Sequence, residues 1–209
     1  MSASDAGGQV ELALDELSRT ASGCGYGLDG VARSSLRCWA ELVCSWREAA
    51  GLTGVRTPAE VVRALMVPAV YALELFRPDE RTTVTDFGAG SGATGIALAV
   101  VSGQGRWFLV DRSHKKTTFC RYALSRCRIT GVHSPDIEEH VATGPPSDIV
   151  LVRGLPRAKE TAKTIRAISS DEAIVLRWVS AVGASEGTRA VRCGASALWI
   201  VAVPAKCFT

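Results

Sequence analysis

The chain has 209 residues, 47% of them hydrophobic and 22% charged, with a net charge of +3. That is long enough for one α/β domain with a small appendage, and the composition excludes disordered, collagen-like and disulfide-scaffold classes. The amino terminus, "MSASDAGGQVEL", lacks a basic stretch followed by an apolar one, and the longest apolar run, "ALWIVAVPA", is too short to span a bilayer, so a soluble, cytoplasmic protein without membrane association is expected.

The first 80 residues read as helical. Val10, Leu14, Leu17 and Ala21 recur at helical spacing, and "GCGYGLDG" then breaks the pattern. Leu36, Trp39, Val43 and Trp46 form a second stripe, in which both tryptophans are expected to be core rather than a stacking platform. "TPAE" places Thr57 as N-cap, Pro58 at the first helical position and Glu60 three residues on, a capping box. The helix it starts runs toward "LELF", and Pro68 is expected to kink or divide it.

From about residue 82 strands and helices alternate. "TVTDF", "RWFLVD", "SDIVLVRG" and "EAIVLRWV" read as strands. "TGIALAVVS", "KKTTFCRYALSRC" and "RAKETAKTIRAI" read as helices. This rhythm predicts a parallel sheet covered on both faces. "TRAVRC" and "SALWIVAVP" leave no room for a helix between them, so the sheet is expected to end in an antiparallel hairpin. The expected organisation is an N-terminal helical cap over residues 1–80 and a Rossmann-like sheet domain over residues 81–209, forming one structural unit.

Charge is unevenly placed. Residues 1–80 carry seven basic and eleven acidic side chains (−4), which leaves 24 − 7 = 17 basic and 21 − 11 = 10 acidic (+7) for residues 81–209. The stretch 106–128 holds seven basic residues and one acid, either a solvated helix face or a phosphate-binding patch. The seven cysteines show no CxxC and no metal-ligand spacing, so no metal is expected.

"TDFGAGSGATGIAL" is the densest stretch. Gly88, Gly90, Gly92 and Gly95 follow Asp86 between a strand and a helix, a layout that lets a ligand approach bare backbone. The spacing also fits a dinucleotide loop. Against NAD stand Asp86, which would repel a pyrophosphate, the missing second mononucleotide-binding half, and the terminal hairpin. S-adenosylmethionine (S-adenosyl-L-methionine) suits the loop better, because its amino group is cationic and its adenosine carries no phosphate. Asp111 ends the next strand, where a carboxylate can accept both ribose hydroxyls, and Glu138, after the third strand position, is a candidate partner of the adenine amine. Neither an Asn-Pro-Pro-aromatic motif nor a His/Asp base pair is found; His114, His133 and His140 sit in polar contexts and read as surface residues.

With those residues in place, the chain resembles the bacterial small-subunit (16S) ribosomal RNA guanine-N7 methyltransferases, also called glucose-inhibited division protein B. The matching residues are Gly95, Ile96 and Leu98, then Asp111, Lys115, Lys116, Phe119 and Arg121. Val152, Arg153 and Gly154 stand where the family has Ser-Arg-Ala, and "LTGVRTPAEVV" matches its N-terminal motif. The chain departs from the pattern at Gly51 (Asn in the family), in "ALMVPA" (a His and Leu-Asp-Ser segment), at Thr94 (Pro) and at Arg177–Trp178 (Lys-Gly). The resemblance implies a class I methyltransferase fold, S-adenosylmethionine as cofactor, and ribosomal RNA or the small ribosomal subunit as partner of a monomeric enzyme. Arg153 is the expected catalytic residue, contacting guanine O6 or a phosphate. Lys115, Lys116, Arg121, Arg126, Arg128 and Arg177 are the expected RNA-binding residues. A related enzyme acting on a small molecule or another RNA, and a non-catalytic binding protein, remain as alternatives.

Overall fold

The computed structural model describes residues 3–154, 159–180 and 189–208. Arg157 and Ala158, expected to open a helix, and Thr188, expected to open a strand, lie outside them.

The N-terminal segment folds as α1 (Ala3–Gly23), α2 (Gly30–Ala50), α3 (Pro58–Val61) and α4 (Val67–Val70). Asp29 caps α2 by accepting from the Ala32 N–H at 2.8 Å. The Thr57–Glu60 capping box is formed in both directions at the start of α3. Between α3 and α4 the backbone widens into a π turn over Val62–Met66, and a 3₁₀ turn follows over Tyr71–Glu74. The cause is Pro68, whose missing N–H cannot bond the carbonyl four residues back.

The sheet has seven strands: β1 (Thr83–Phe87), β2 (Arg106–Val110), β3 (Val132–His133), β4 (Ser147–Val152), β5 (Ser169–Val179), β6 (Arg189–Arg192) and β7 (Trp199–Pro204). Their order is β3-β2-β1-β4-β5-β7-β6. The first five are parallel; β7 lies antiparallel between β5 and β6, so the second strand of the hairpin docks on the parallel sheet. Chain order reverses at β1, which has β2 on one side and β4 on the other. That is the switch point where open α/β sheets bind ligands beyond their strand ends.

The helices α5 (Ala93–Ser102), α6 (His114–Arg126), α7 (Ile137–Thr143) and α8 (Lys159–Ile168) alternate with these strands. Alternation along β1 sorts them. Val84 belongs to a core cluster shared with α1–α4, α5 and α6, whereas Phe87 belongs to a second cluster with Ala162 and Ile165 of α8. Nearly every residue of α5 is buried, which explains its uniformly apolar sequence: the sheet lies on one side and the N-terminal helices on the other.

The stripes Val10, Leu14, Leu17, Ala21 and Leu36, Trp39, Val43 are buried as expected, but Trp46 is 37% exposed. His140 corrects the reading of all three histidines as surface residues. It is 3% exposed, and its Nε2 lies 3.1 Å from Thr85 Oγ1, which in turn meets Ser147 Oγ at 2.7 Å. Burial holds its pKa below the usual 6.5. This histidine fastens α7 to the centre of the sheet.

Candidate active site

The glycine loop joins β1 to α5 at the switch point. Gly88 and Ala89 donate their N–H groups to the Val110 carbonyl at 2.8 and 3.0 Å, which extends the β1–β2 pairing into the loop. Gly90 and Gly92 have φ of 59° and 70°, left-handed values that favour glycine. Below the loop there is no spare room. A Cβ on Gly92 would sit 2.8 Å from the Trp39 ring, and one on Gly95 would sit 2.6 Å from Leu109 and 2.9 Å from an Asp86 oxygen. Above Gly90 the situation reverses, since a Cβ there would have only the Gly88 carbonyl for a neighbour, at 3.9 Å. The loop is therefore tightly seated on one side and bare on the other.

Two carboxylates fix it. Asp86, 2% exposed, accepts from the Gly95 N–H at 2.9 Å. Burial pushes its pKa up to about 7, against the pull of the Gly95 N–H and the Arg153 charge and with a push from Asp111. Asp111 accepts from the Gly90 N–H at 2.9 Å through one oxygen and from the Ser113 N–H at 2.9 Å through the other. Lys116 Nζ lies 4.0 Å from it. Both acids thus brace the loop from within the fold, and each oxygen of Asp111 retains a further lone pair.

On the expected adenine side the structure brings a second acid to Asp111. Glu138 is exposed and lines a groove between α7 and α8 with Val141, Glu160 and Lys163. The acid beside Asp111 is Asp136, paired to it by a parallel β-bridge. Asp136 accepts from Thr117 Oγ1 at 2.7 Å and has Arg121 at 3.7 Å. Those contacts hold its pKa below the usual range, with the Thr117 hydrogen bond the largest cause. The signal was present: Asp136 precedes a helix as an N-cap would. β3 is only two residues long, and the chain just beyond it meets Asp111 at Asp136.

Arg153, just past β4, does not point a free guanidinium at the loop. Its Nη1 donates to the Leu65 carbonyl at 2.7 Å and lies 3.3 Å from Thr94 Oγ1, while Nη2 donates to the Ala64 carbonyl at 2.6 Å. Ala64 is four residues before Pro68, so Arg153 supplies the donor that the proline lacks. The Pro68 carbonyl in turn accepts from Trp178 Nε1 at 3.3 Å. Thr94, "ALMVPA" and Trp178, three of the departures from the family pattern, therefore meet around one turn of the N-terminal helices.

The basic residues are less clustered than their spacing suggests. Lys115 and Lys116 stand at the N-terminus of α6, next to Asp111. Arg121 is tied to the Ser134 carbonyl at 3.2 Å. Arg126 and Arg128 lie at the far end of α6, and Arg128 shares a groove with Gly103, Gln104 and Gly131 below the N-terminal ends of β2 and β3. The 13 residues of α6 span about 20 Å, so these two arginines sit at the opposite sheet edge from the glycine loop. Arg177 lies on β5, in register with Val152 of β4 and Val201 of β7. Among the described residues, no cluster of three metal-ligating side chains occurs and no helix is long and apolar enough to cross a membrane.

Residues 32–181 match the family described as "GidB: rRNA small subunit methyltransferase G". The chain belongs to this family. Named members of the methyltransferase G family resemble it over most of its length. The ribosomal RNA small subunit methyltransferase G of Oleidesulfovibrio alaskensis is 31% identical over 150 residues, which are 69% of this chain and 62% of that protein. The protein of the same name from Dichelobacter nodosus is 26% identical over 176 residues, 82% of this chain and 75% of that one. The alignment thus spans about three fifths of the Oleidesulfovibrio protein. Among solved structures, a SAM-dependent methyltransferase from Aquifex aeolicus superposes with a TM-score of 0.50 at 15% identity, covering 66% of this chain and 89% of that one. MtNAS in complex with MTA and tNA superposes with a TM-score of 0.52 at 17% identity, covering 78% and 70%. These two likenesses establish the class I methyltransferase fold for this member of the methyltransferase G family.

Proposed function

We infer that the chain is an S-adenosylmethionine-dependent methyltransferase that modifies guanine N7 in small-subunit ribosomal RNA, working in the cytoplasm as a monomer. The observation that carries this reading is the bare backbone above Gly90, flanked by Asp86 and Asp111 at the switch point, in a chain of this family.

Gly88, Gly90 and Gly92 would cradle the cofactor, with Asp111 and Asp136 offering acceptors to its hydroxyl and amine donors. Asp86 sets a negative potential under the loop, which favours a cation and disfavours a pyrophosphate. When bound, the sulfonium supplies an activated methyl group. Guanine N7 has an exposed lone pair and no proton, so the protein has to align its substrates rather than remove a proton. Of the histidines, His140 is buried and engaged at the sheet centre, and His114 is exposed with its Nδ1 3.3 Å from Asp136, on the cofactor side of this reading.

Arg153 is a positioning residue in this reading. It fixes the turn at Ala64–Leu65 against Thr94, so that the N-terminal helices form one wall of the site. Lys115 and Lys116, at the N-terminus of α6 beside Asp111, would meet RNA phosphate in this reading.

Titration calorimetry with S-adenosylmethionine and with NAD, followed by transfer of a labelled methyl group to protein-free small-subunit RNA and to assembled subunits, tests the proposal. Binding of the first ligand alone, with label incorporated into RNA, is the expected result. NAD binding, or cofactor binding without label in either RNA substrate, would overturn it.

A further inference from the structure

Trp46 on α2 and Tyr122 on α6 form the largest exposed aromatic feature among the described residues. They are 37% and 44% exposed, with ring centroids 5.3 Å apart and planes 38° apart. Phe119 lies beneath, fully buried, 6.2 Å from Trp46 and 5.9 Å from Trp39. Burying the pair would remove apolar surface from water, yet both rings stop at the surface, side by side, where neighbouring helices meet.

The charge around them has one sign on α6. That helix carries Lys115, Lys116, Arg121 and Arg126 and no acidic residue. Lys115 stands seven residues before Tyr122 and Arg126 four after it, spacings that put all three on one stripe. On the α2 side Arg47 is paired with Glu48. The pair is also tied to the cofactor end. Trp39, two turns before Trp46 on the same helix, donates its Nε1–H to the Ser91 carbonyl in the glycine loop at 2.9 Å. Tyr122 is about 9 Å along α6 from Lys116, which faces Asp111.

Exposed aromatic rings between cations are the combination that holds single-stranded nucleic acid, with bases on the rings and phosphates on the charges. We propose that Trp46 and Tyr122 are a stacking platform for an unpaired base of the RNA substrate, with Lys115 and Arg126 holding the adjoining phosphates. The proposal rests on the RNA-methyltransferase reading and adds to it the surface that grips the strand outside the site. It also gives Arg126, remote from the glycine loop, a place on the RNA path.

The test measures binding of a labelled single-stranded mixed-sequence oligoribonucleotide, of protein-free small-subunit RNA and of assembled small subunits to the full chain and its variants. Trp46→Leu keeps apolar cover over Phe119 but removes the stacking surface, and it is expected to weaken RNA binding about tenfold. Trp46→Phe keeps a ring and should restore most of the affinity, and Tyr122→Leu should behave like Trp46→Leu. S-adenosylmethionine affinity should not change in any of them, a pattern that a merely misfolded variant cannot give. RNA should also quench wild-type tryptophan fluorescence, and less so in Trp46→Leu.

RNA affinity of Trp46→Leu equal to that of the wild type overturns the platform while leaving the RNA reading intact. Weakened binding to assembled subunits with unchanged binding to naked RNA would place a protein on this surface and also overturn it. A wild-type chain that binds neither RNA would overturn both readings.

Discussion

The glycine loop places opposite demands on residues a few positions apart. At Gly95 and Gly92 a side chain collides with Asp86, Leu109 or Trp39, whereas at Gly90 it projects into open space. Gly90→Ala is therefore expected to fold, with a loss of about 1–2 kcal/mol for the left-handed backbone, and to lose cofactor binding. Gly95→Ala is expected to unfold the chain at lower denaturant, because its collision is internal. Denaturant titration beside calorimetry separates the two. Asp86 gives a pH signature. Its folded pKa of about 7 lies above the usual 3.8, so the folded state holds the proton more tightly. Its contribution to stability is full below about pH 4 and is lost as pH rises toward 7. Binding of a cationic cofactor should follow the opposite course, strengthening up to about pH 7 as Asp86 ionises. Asp86→Asn should weaken cofactor binding and flatten both pH dependences. The glycines and Asp86 stand in one short stretch of sequence, and Asp111 ends the next strand, so strand–helix alternation alone brings them to one edge of the sheet. Asp136 was not legible in this way, because its approach to Asp111 depends on how short β3 is.

At the scale of elements, the N-terminal helices are held to the sheet through the turn that Pro68 opens. Arg153→Lys loses the fork that reaches two successive carbonyls, and it should cost about 1–3 kcal/mol by leaving one of them unpaired. In Pro68→Ala, residue 68 regains an N–H that can satisfy Ala64, so the two substitutions should couple. The double variant is expected to be more stable than the sum of the single changes by about 1 kcal/mol in unfolding experiments. Strict additivity would contradict the clamp. The sequence showed the kink but not its partner, since Arg153 is 88 residues from Leu65 and nothing local connects them. It likewise showed the apolar stripes of α1 and α2 but not where each ends. Trp46 shares the period of Trp39 yet lies beyond the edge of the buried zone.

For the whole molecule, the topology was legible because strand–helix alternation leaves few arrangements, and the terminal hairpin followed from the absence of a connecting helix. The distribution of charge was not, because helical spacing gives a residue's face but not which sheet edge it reaches. Lys115 and Lys116 lie at the cofactor edge, and Arg126 and Arg128 lie a helix length away. Replacing both lysines by glutamine should weaken RNA binding and make the slope of log affinity against log salt shallower by about 1.4, at roughly 0.7 per phosphate for a single strand. Cofactor affinity should stay the same. An unchanged slope would mean that these charges only keep the helix solvated. Methyl transfer to guanine N7 in ribosomal RNA can be read out by nucleoside mass spectrometry. Small-subunit RNA would be incubated with the chain and S-adenosylmethionine, digested to nucleosides, and compared with a Gly90→Ala control. 7-Methylguanosine should form with the wild-type chain and be absent from the control; RNA without it, or a methyl group found only on another base, would rule out guanine N7 as the target.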